Sequence, residues 1–142
     1  MARQSACFLD TCIPIYAAGK AHPYQEACAR IMLAAADGEL DAVTDAEVIQ
    51  EIAYRFHAIR RRGEGLKLAD AFLAVVETVL PVNRAVAARS LQLQRAYSFL
   101  SPRDAIHVAS MGEGGISTIV TADRHFDRVR EVERVDPIGF QW

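Results

Sequence analysis

No stretch of this 142-residue sequence comes near the roughly 20 consecutive apolar residues that a membrane-spanning helix needs. The apolar opening, Ala6–Leu9, gives way at once to Asp10, so no signal-peptide core is expected and the cytoplasm is the expected location. Cysteine is scarce. Cys7, Cys12 and Cys28 are an odd number with no C-x-x-C spacing, which argues against a disulfide framework and a structural zinc site. His22, His57, His107 and His125 stand in no H-E-x-x-H pattern and read as structural residues rather than metal ligands. The P-loop, the G-x-G-x-x-G turn and the nucleophile elbow are missing, and no serine or cysteine has an obvious base partner. The last lysine is Lys67, ahead of the late strands, which argues against a receiver-type domain. A net charge of −2 does not advertise a nucleic-acid binder.

What is present is an ordinary globular composition, 51% hydrophobic and 24% charged. One domain spanning 1–142 is expected, large enough to bury roughly 68–70% of its unfolded surface. Apolar periodicity and turn residues predict strands at 5–9, 41–44, 80–82, 117–121 and 132–135. Helices are predicted at 12–18, 24–37, 45–61, 66–78, 84–96, from Pro102 to the glycines at 112–115, and at 123–128. Strands alternating with helices point to an α/β fold of three layers, a mainly parallel sheet of four or five strands between helices. Ile31, Met32, Leu91 and Leu93 suit the core and an interface equally well.

In such folds ligands bind beyond the carboxyl ends of the strands. Asp10 closes the first apolar run, and Asp123 lies two residues past the STIVT strand (117–121), so two acids are expected at one rim. Other acids have structural explanations to overcome. Thr44 and Glu47 fit a capping box. Glu51 sits one turn further, at the edge of the arc formed by Val48, Ile49, Ile52, Ala53, Phe56 and Ile59, where a side chain can line a cleft or pair with Arg55 at i+4. Ser101-Pro102-Arg103-Asp104 is another capping box, but it opens a helix that is apolar nearly all round, and the two readings of Asp104 stay open. Asp123 also suits an N-cap, with Asp127 on the same face.

If Asp10, Glu51, Asp104 and Asp123 converge, their repulsion calls for a cation. Oxygen ligands without cysteine or histidine select Mg²⁺ or Mn²⁺, the equipment of metal-assisted phosphodiester hydrolysis. Setting these four acids and Asp127 aside leaves 13 acidic against 16 basic residues, a mildly basic body around an acidic pit. Arg60, Arg61, Arg62 and Lys67, with Arg103, Arg124 and Arg128, are candidates for phosphate contacts. For Arg60–Arg62 the favoured alternative is a helix C-terminus complementing its own dipole.

These residues together resemble the PIN-domain ribonucleases. DAIHVA from Asp104 and IVTADRHFD up to Asp127 are similar to that family's C-terminal half. FLDT (8–11) is similar to its first-strand motif, and VIQEIAYRF around Glu51 to its helical glutamate motif. The resemblance covers essentially the whole chain, and four motifs in order are specific where each alone is weak. It implies a parallel sheet sandwiched by helices and Mg²⁺- or Mn²⁺-dependent cleavage of RNA. It also implies a metal-binding quartet of Asp10, Glu51, Asp104 and Asp123, Asp127 as an occasional extra member, and Thr11 and Thr121 as supporting hydroxyls. Glu47 is the alternative to Glu51. A domain of this length looks like the toxin of a VapBC-type toxin–antitoxin pair, which implies a homodimer and a small antitoxin partner. The competing readings are a degenerate scaffold that binds RNA or protein, and a nuclease acting on DNA, since no residue here identifies a 2′-hydroxyl reader.

Overall fold

The computed structural model describes residues 5–142. Its first strand, β1 (Cys7–Leu9), is buried along its whole length, as expected of a parallel strand covered on both faces. Helices α1 (Cys12–Ala18) and α2 (Gln25–Ala36) lead to β2 (Ala42–Asp45), α3 (Ala46–Ala58) and α4 (Arg62–Val75) lead to β3 (Thr78–Leu80), and α5 (Arg84–Ala96) and α6 (Pro102–Glu113) lead to β4 (Thr118–Val120). A single 3₁₀ turn, Arg124–Arg128, precedes β5 (Glu133–Val135). All five strands are parallel, in the order β3-β2-β1-β4-β5. The expected fold class is therefore the observed one.

The order matters for function. From β1 the chain steps to β2 and then β3 in one direction, then crosses two strands to reach β4 and continues the other way. Right-handed crossovers place helices reached in opposite directions on opposite faces. Accordingly α1 packs on α2 and α3 on α4, while α5 and α6 pack on each other. Neighbours β1 and β4 thus send their connections apart, and a crevice opens between their carboxyl ends. This is the switch point at which α/β folds bind ligands.

The core is built from Phe8, Leu9, Ile31, Ile52, Phe72, Leu93, Met111, Ile119 and Phe126, all essentially inaccessible; fully burying each such side chain contributes about 1.5–3 kcal/mol. Of the positions assigned to core or interface, Ile31 and Leu93 are core, Met32 packs against it, and Leu91 is exposed. Ile59, expected on the buried arc of α3, is exposed.

Three boundaries depart from expectation. The N-cap of α3 is Asp45, whose Oδ1 accepts from Val48 N at 2.8 Å. Thr44 instead lies within the buried strand β2 and donates its hydroxyl to Leu9 O at 3.3 Å, so Thr44 and Glu47 make no capping box. Helix α4 starts four residues early, because Gly63 and Gly65 belong to its first turn rather than to a loop. A Cβ on Gly65 would stand 2.4 Å from Phe56 Cβ, so this glycine serves close packing between α3 and α4. Strand β3 ends at Leu80, where Pro81 removes a ladder donor.

Candidate active site

The crevice is a cavity of about 400 Å³ lined by Asp10, Glu51, Asp104 and Asp123 together with Thr11, Thr121, Ser101, Arg55 and Arg103. Each acid arrives by a different route. Asp10 follows β1, Glu51 lies one turn into α3, Asp104 stands in the first turn of α6, and Asp123 follows β4. All four expected acids therefore meet, and both expected hydroxyl residues, Thr11 and Thr121, stand among them.

Asp10 is the most constrained. Its Oδ1 accepts from Thr11 N at 2.8 Å, and its Oδ2 accepts from the Thr121 hydroxyl at 2.6 Å. Thr121 Oγ1 in turn accepts from Asp123 N at 3.1 Å, tying the two strand ends together. Burial still pushes the Asp10 carboxyl up, against the favourable charge of His107 and these hydrogen bonds, with Glu51 adding to the rise. Asp104 is pushed up to about 6, first by burial and then by the charge of Asp10. Its backbone N–H donates to Ser101 Oγ at 3.1 Å, so this position follows a Ser101 cap and also lines the cavity. Asp123 likewise caps the 3₁₀ turn through His125 N at 2.9 Å while lining the cavity.

Glu51 is buried and accepts on Oε1 from Arg55 Nη2 at 3.1 Å and Arg103 Nη1 at 3.0 Å. Glu47 lies outside the cavity lining and pairs with Arg103 Nε at 3.5 Å. Of the two glutamates it is therefore Glu51 that lines the cavity.

Behind the acids lies His107, fully buried. Its Nδ1 is 2.8 Å from Asp45 Oδ2, which also accepts from the Ser110 hydroxyl at 2.8 Å. Burial alone would lower its pKa; the bond to Asp45, the charge of Asp45 and then those of Asp10 and Asp104 overcome that and hold it at about 9. Nε2 has no hydrogen-bond partner and faces Asp10 Oδ1 at 3.9 Å. His107, Asp10 and Glu51 each bring a ligand-capable atom within 4.8 Å of the others. From the sequence alone His107 reads as structural. Its spacing from Asp104 was the available signal, since residues three apart share a helix face.

The donor set fits a hard divalent cation. Carboxylate oxygens dominate it, burial and mutual repulsion raise Asp10 and Asp104, and the buried Thr11 hydroxyl lacks a partner. A cation among these groups would relieve both the repulsion and the desolvation.

A family model of the PIN domain matches residues 7–132. The chain belongs to the PIN domain family. It is 37% identical over 127 residues to ribonuclease VapC13 of Mycobacterium tuberculosis, covering 89% of this chain and 97% of that protein. Ribonuclease VapC7 of the same organism is 31% identical over 130 residues, covering 91% and 90%. Among solved structures, FitAcB from Neisseria gonorrhoeae aligns with a TM-score of 0.72 at 17% identity, covering 94% of this chain and 99% of that one. VapBC2 from Rickettsia felis, bound to a DNA fragment from its promoter, gives 0.71 at 16% identity, covering 92% and 98%. These two structures establish the PIN fold and nothing more.

Two sets of expected residues stand apart from the cavity of this PIN domain. Asp127, expected as an extra metal ligand, is gripped by Arg134, whose Nε and Nη2 donate to its two oxygens at 2.8 and 3.2 Å. That ion pair engages both of its carboxylate oxygens, and Asp127 is not among the residues lining the cavity. Arg60, Arg61 and Arg62 lie at the α3–α4 turn, where Arg61 pairs with Glu64 and borders a separate, mainly apolar groove with Ile15 and Phe56. Of the remaining arginines, Arg103 lines the acidic cavity, Arg124 is exposed directly after Asp123, and Arg128 lies over the Phe99 ring at 4.1 Å.

Proposed function

We propose that this PIN domain is an endoribonuclease that hydrolyses RNA phosphodiester bonds with Mg²⁺ or Mn²⁺, and that it is the toxin of a VapBC-type pair. The observation that carries this reading is the meeting of Asp10, Glu51, Asp104 and Asp123 in one cavity at the switch point of the sheet. The relatives named ribonucleases support the choice of RNA. Asp10, Glu51, Asp104 and Asp123 would hold the cation, with Asp127 left to Arg134. Such a cation would supply a lowered pKa for a bound water and positive charge against that developing on the phosphate.

The chain's own residues prepare the reaction. Thr121 and the Thr11 amide fix the Asp10 carboxylate, so no reorientation is needed when substrate arrives. Arg55 and Arg103 hold Glu51 in place and put two positive charges on the cavity wall, where a phosphate can exchange for the carboxylate as their partner. Arg124 extends that positive rim past Asp123. The reading includes a second copy of the chain, a small antitoxin such as those in the VapBC assemblies among its structural neighbours, and action in the cytoplasm. No described helix is long and apolar enough to cross a membrane.

The test is cleavage of a mixed RNA pool by the purified protein and by Asp10→Asn, each with Mg²⁺, Mn²⁺ or EDTA. Metal-dependent cleavage by the wild type alone is expected. Equal cleavage by both proteins would remove Asp10 from the mechanism and sink the reading.

A further inference from the structure

Helix α1 ends at Gly19, and an exposed turn, 20–23, leads into α2. Polar residues suffice in such a turn, yet His22 in this one meets Tyr16 of α1 and Tyr24 at the start of α2 in an aromatic set. The His22 ring lies nearly parallel to Tyr16, with centroids 4.2 Å and planes 11° apart. Tyr24 completes the group at 5.8 Å from Tyr16 and 6.0 Å from His22. The group is held in place from several sides. Tyr24 N donates to His22 Nδ1 at 3.1 Å, the Tyr24 hydroxyl to Asp136 Oδ2 at 2.9 Å, and Gln25 Nε2 to Gly19 O at 2.8 Å. Packing against the core accounts for the half-buried tyrosines. It does not account for His22, which is exposed.

Tyr16 also lines the acidic cavity, beside Arg55 and the quartet. We propose that Tyr16, His22 and Tyr24 form a stacking subsite for an unpaired base of a single-stranded RNA, adjoining the phosphodiester-cleaving cavity. The proposal rests on the ribonuclease reading above. Unpaired bases stack on aromatic faces with little regard to sequence, while cations hold the backbone between them. Here Arg55 on the cavity wall and Lys20 in the exposed turn supply those cations. A duplex keeps its bases within its own stack, so the subsite takes a single strand or a loop. The other aromatic cluster, Phe99 with His125, is less suited, because neither ring lines the acidic cavity.

The experiment measures binding of a short fluorescein-labelled single-stranded RNA of mixed sequence to full-length Asp10→Asn protein, alone and combined with His22→Ala, Tyr16→Leu or His22→Phe. A parallel series replaces each nucleotide in turn by an abasic one. Loss of a base–aromatic stack is expected to weaken binding by roughly 5- to 100-fold in the Ala and Leu variants, with Phe at position 22 restoring it. At one abasic position the variants and the parent are expected to bind alike, since the base that would stack is gone. Unchanged affinity in both variants, or the same loss on every abasic RNA as on the intact one, overturns the subsite. Metal-dependent cleavage by wild type run alongside separates the two claims: if it persists, only the subsite falls. If wild type neither binds nor cleaves RNA, the subsite falls together with the reading beneath it.

Discussion

Replacing Asp104 by asparagine is expected to make the metal-free protein more stable. The folded state holds this carboxyl at about 6 against an ordinary 3.8, through burial first and the charge of Asp10 second. At 1.36 kcal/mol for each pH unit between those values, the ionised form costs about 3 kcal/mol, which solvent at this half-buried position trims to about 2–3. The direction is the reverse of a salt-bridged acid. A carboxyl raised on folding costs stability above its folded pKa and costs nothing below its unfolded one. The penalty is therefore full at about pH 7.5, fades between about 6 and 3.8, and is gone below. Asparagine cannot ionise, and the backbone bond from residue 104 to Ser101 survives the change. The assay is urea unfolding in EDTA. With an m value of about 1–3 kcal/mol/M, the midpoint of Asp104→Asn should rise by about 1 M or more at pH 7.5 and match wild type near pH 4. No gain at pH 7.5, or a gain of equal size at pH 4, would refute the reasoning.

Millimolar Mg²⁺ or Mn²⁺ should stabilise wild type, by about 2.7 kcal/mol at a hundredfold excess over Kd, and stabilise Asp10→Asn much less; thermal melts with and without EDTA measure both. Asp45→Ala should cost at least about 3 kcal/mol, because it strands the buried His107 and removes the α3 cap; chemical denaturation reads it directly. The contribution of the Asp45–His107 pair should be fully present below about pH 6.5 and decline as pH rises through about 9, which unfolding of wild type against His107→Gln across that range will show. Gly65→Ala should destabilise by about 1–3 kcal/mol through its clash with Phe56, despite the ~1 kcal/mol that alanine gains in a helix. Equal or greater stability in that variant would contradict the packing at the α3–α4 contact.

The acids of the site were readable because each stands where local rules leave it unexplained or doubly explained. Asp10 and Asp123 follow buried apolar runs, and Asp104 opens a helix with no solvent face to speak of. Glu51 showed only as an acid on the border of an apolar arc, and it took the arginines at positions 55 and 103 to show why it can be buried. For His107 the spacing from Asp104 hinted at a place near the site, but its partner Asp45 lies 62 residues away, a contact that only the fold supplies. The same limit explains Thr44: threonine and glutamate three apart satisfy the capping pattern, but the strand claims Thr44 and the cap passes to Asp45. Gly65 looked like a helix breaker because only the folded partner, Phe56, gives it a purpose. Asp127 shared a helical face with Asp123, yet Arg134 on the neighbouring strand outweighed that placement.

The crossover from β3 to β4 also governs when the cavity can exist during synthesis. Strand β1 must wait for β4, pairing Cys7 with Thr118 and Leu9 with Val120, so the first acid to leave the ribosome meets its last partner only when most of the chain has followed. A truncated or stalled product ending before β4 carries Asp10, Glu51 and Asp104 but lacks both Thr121, which fixes Asp10, and Asp123. Translation itself therefore delays assembly of the cavity, and incomplete chains lack two of the groups that line it.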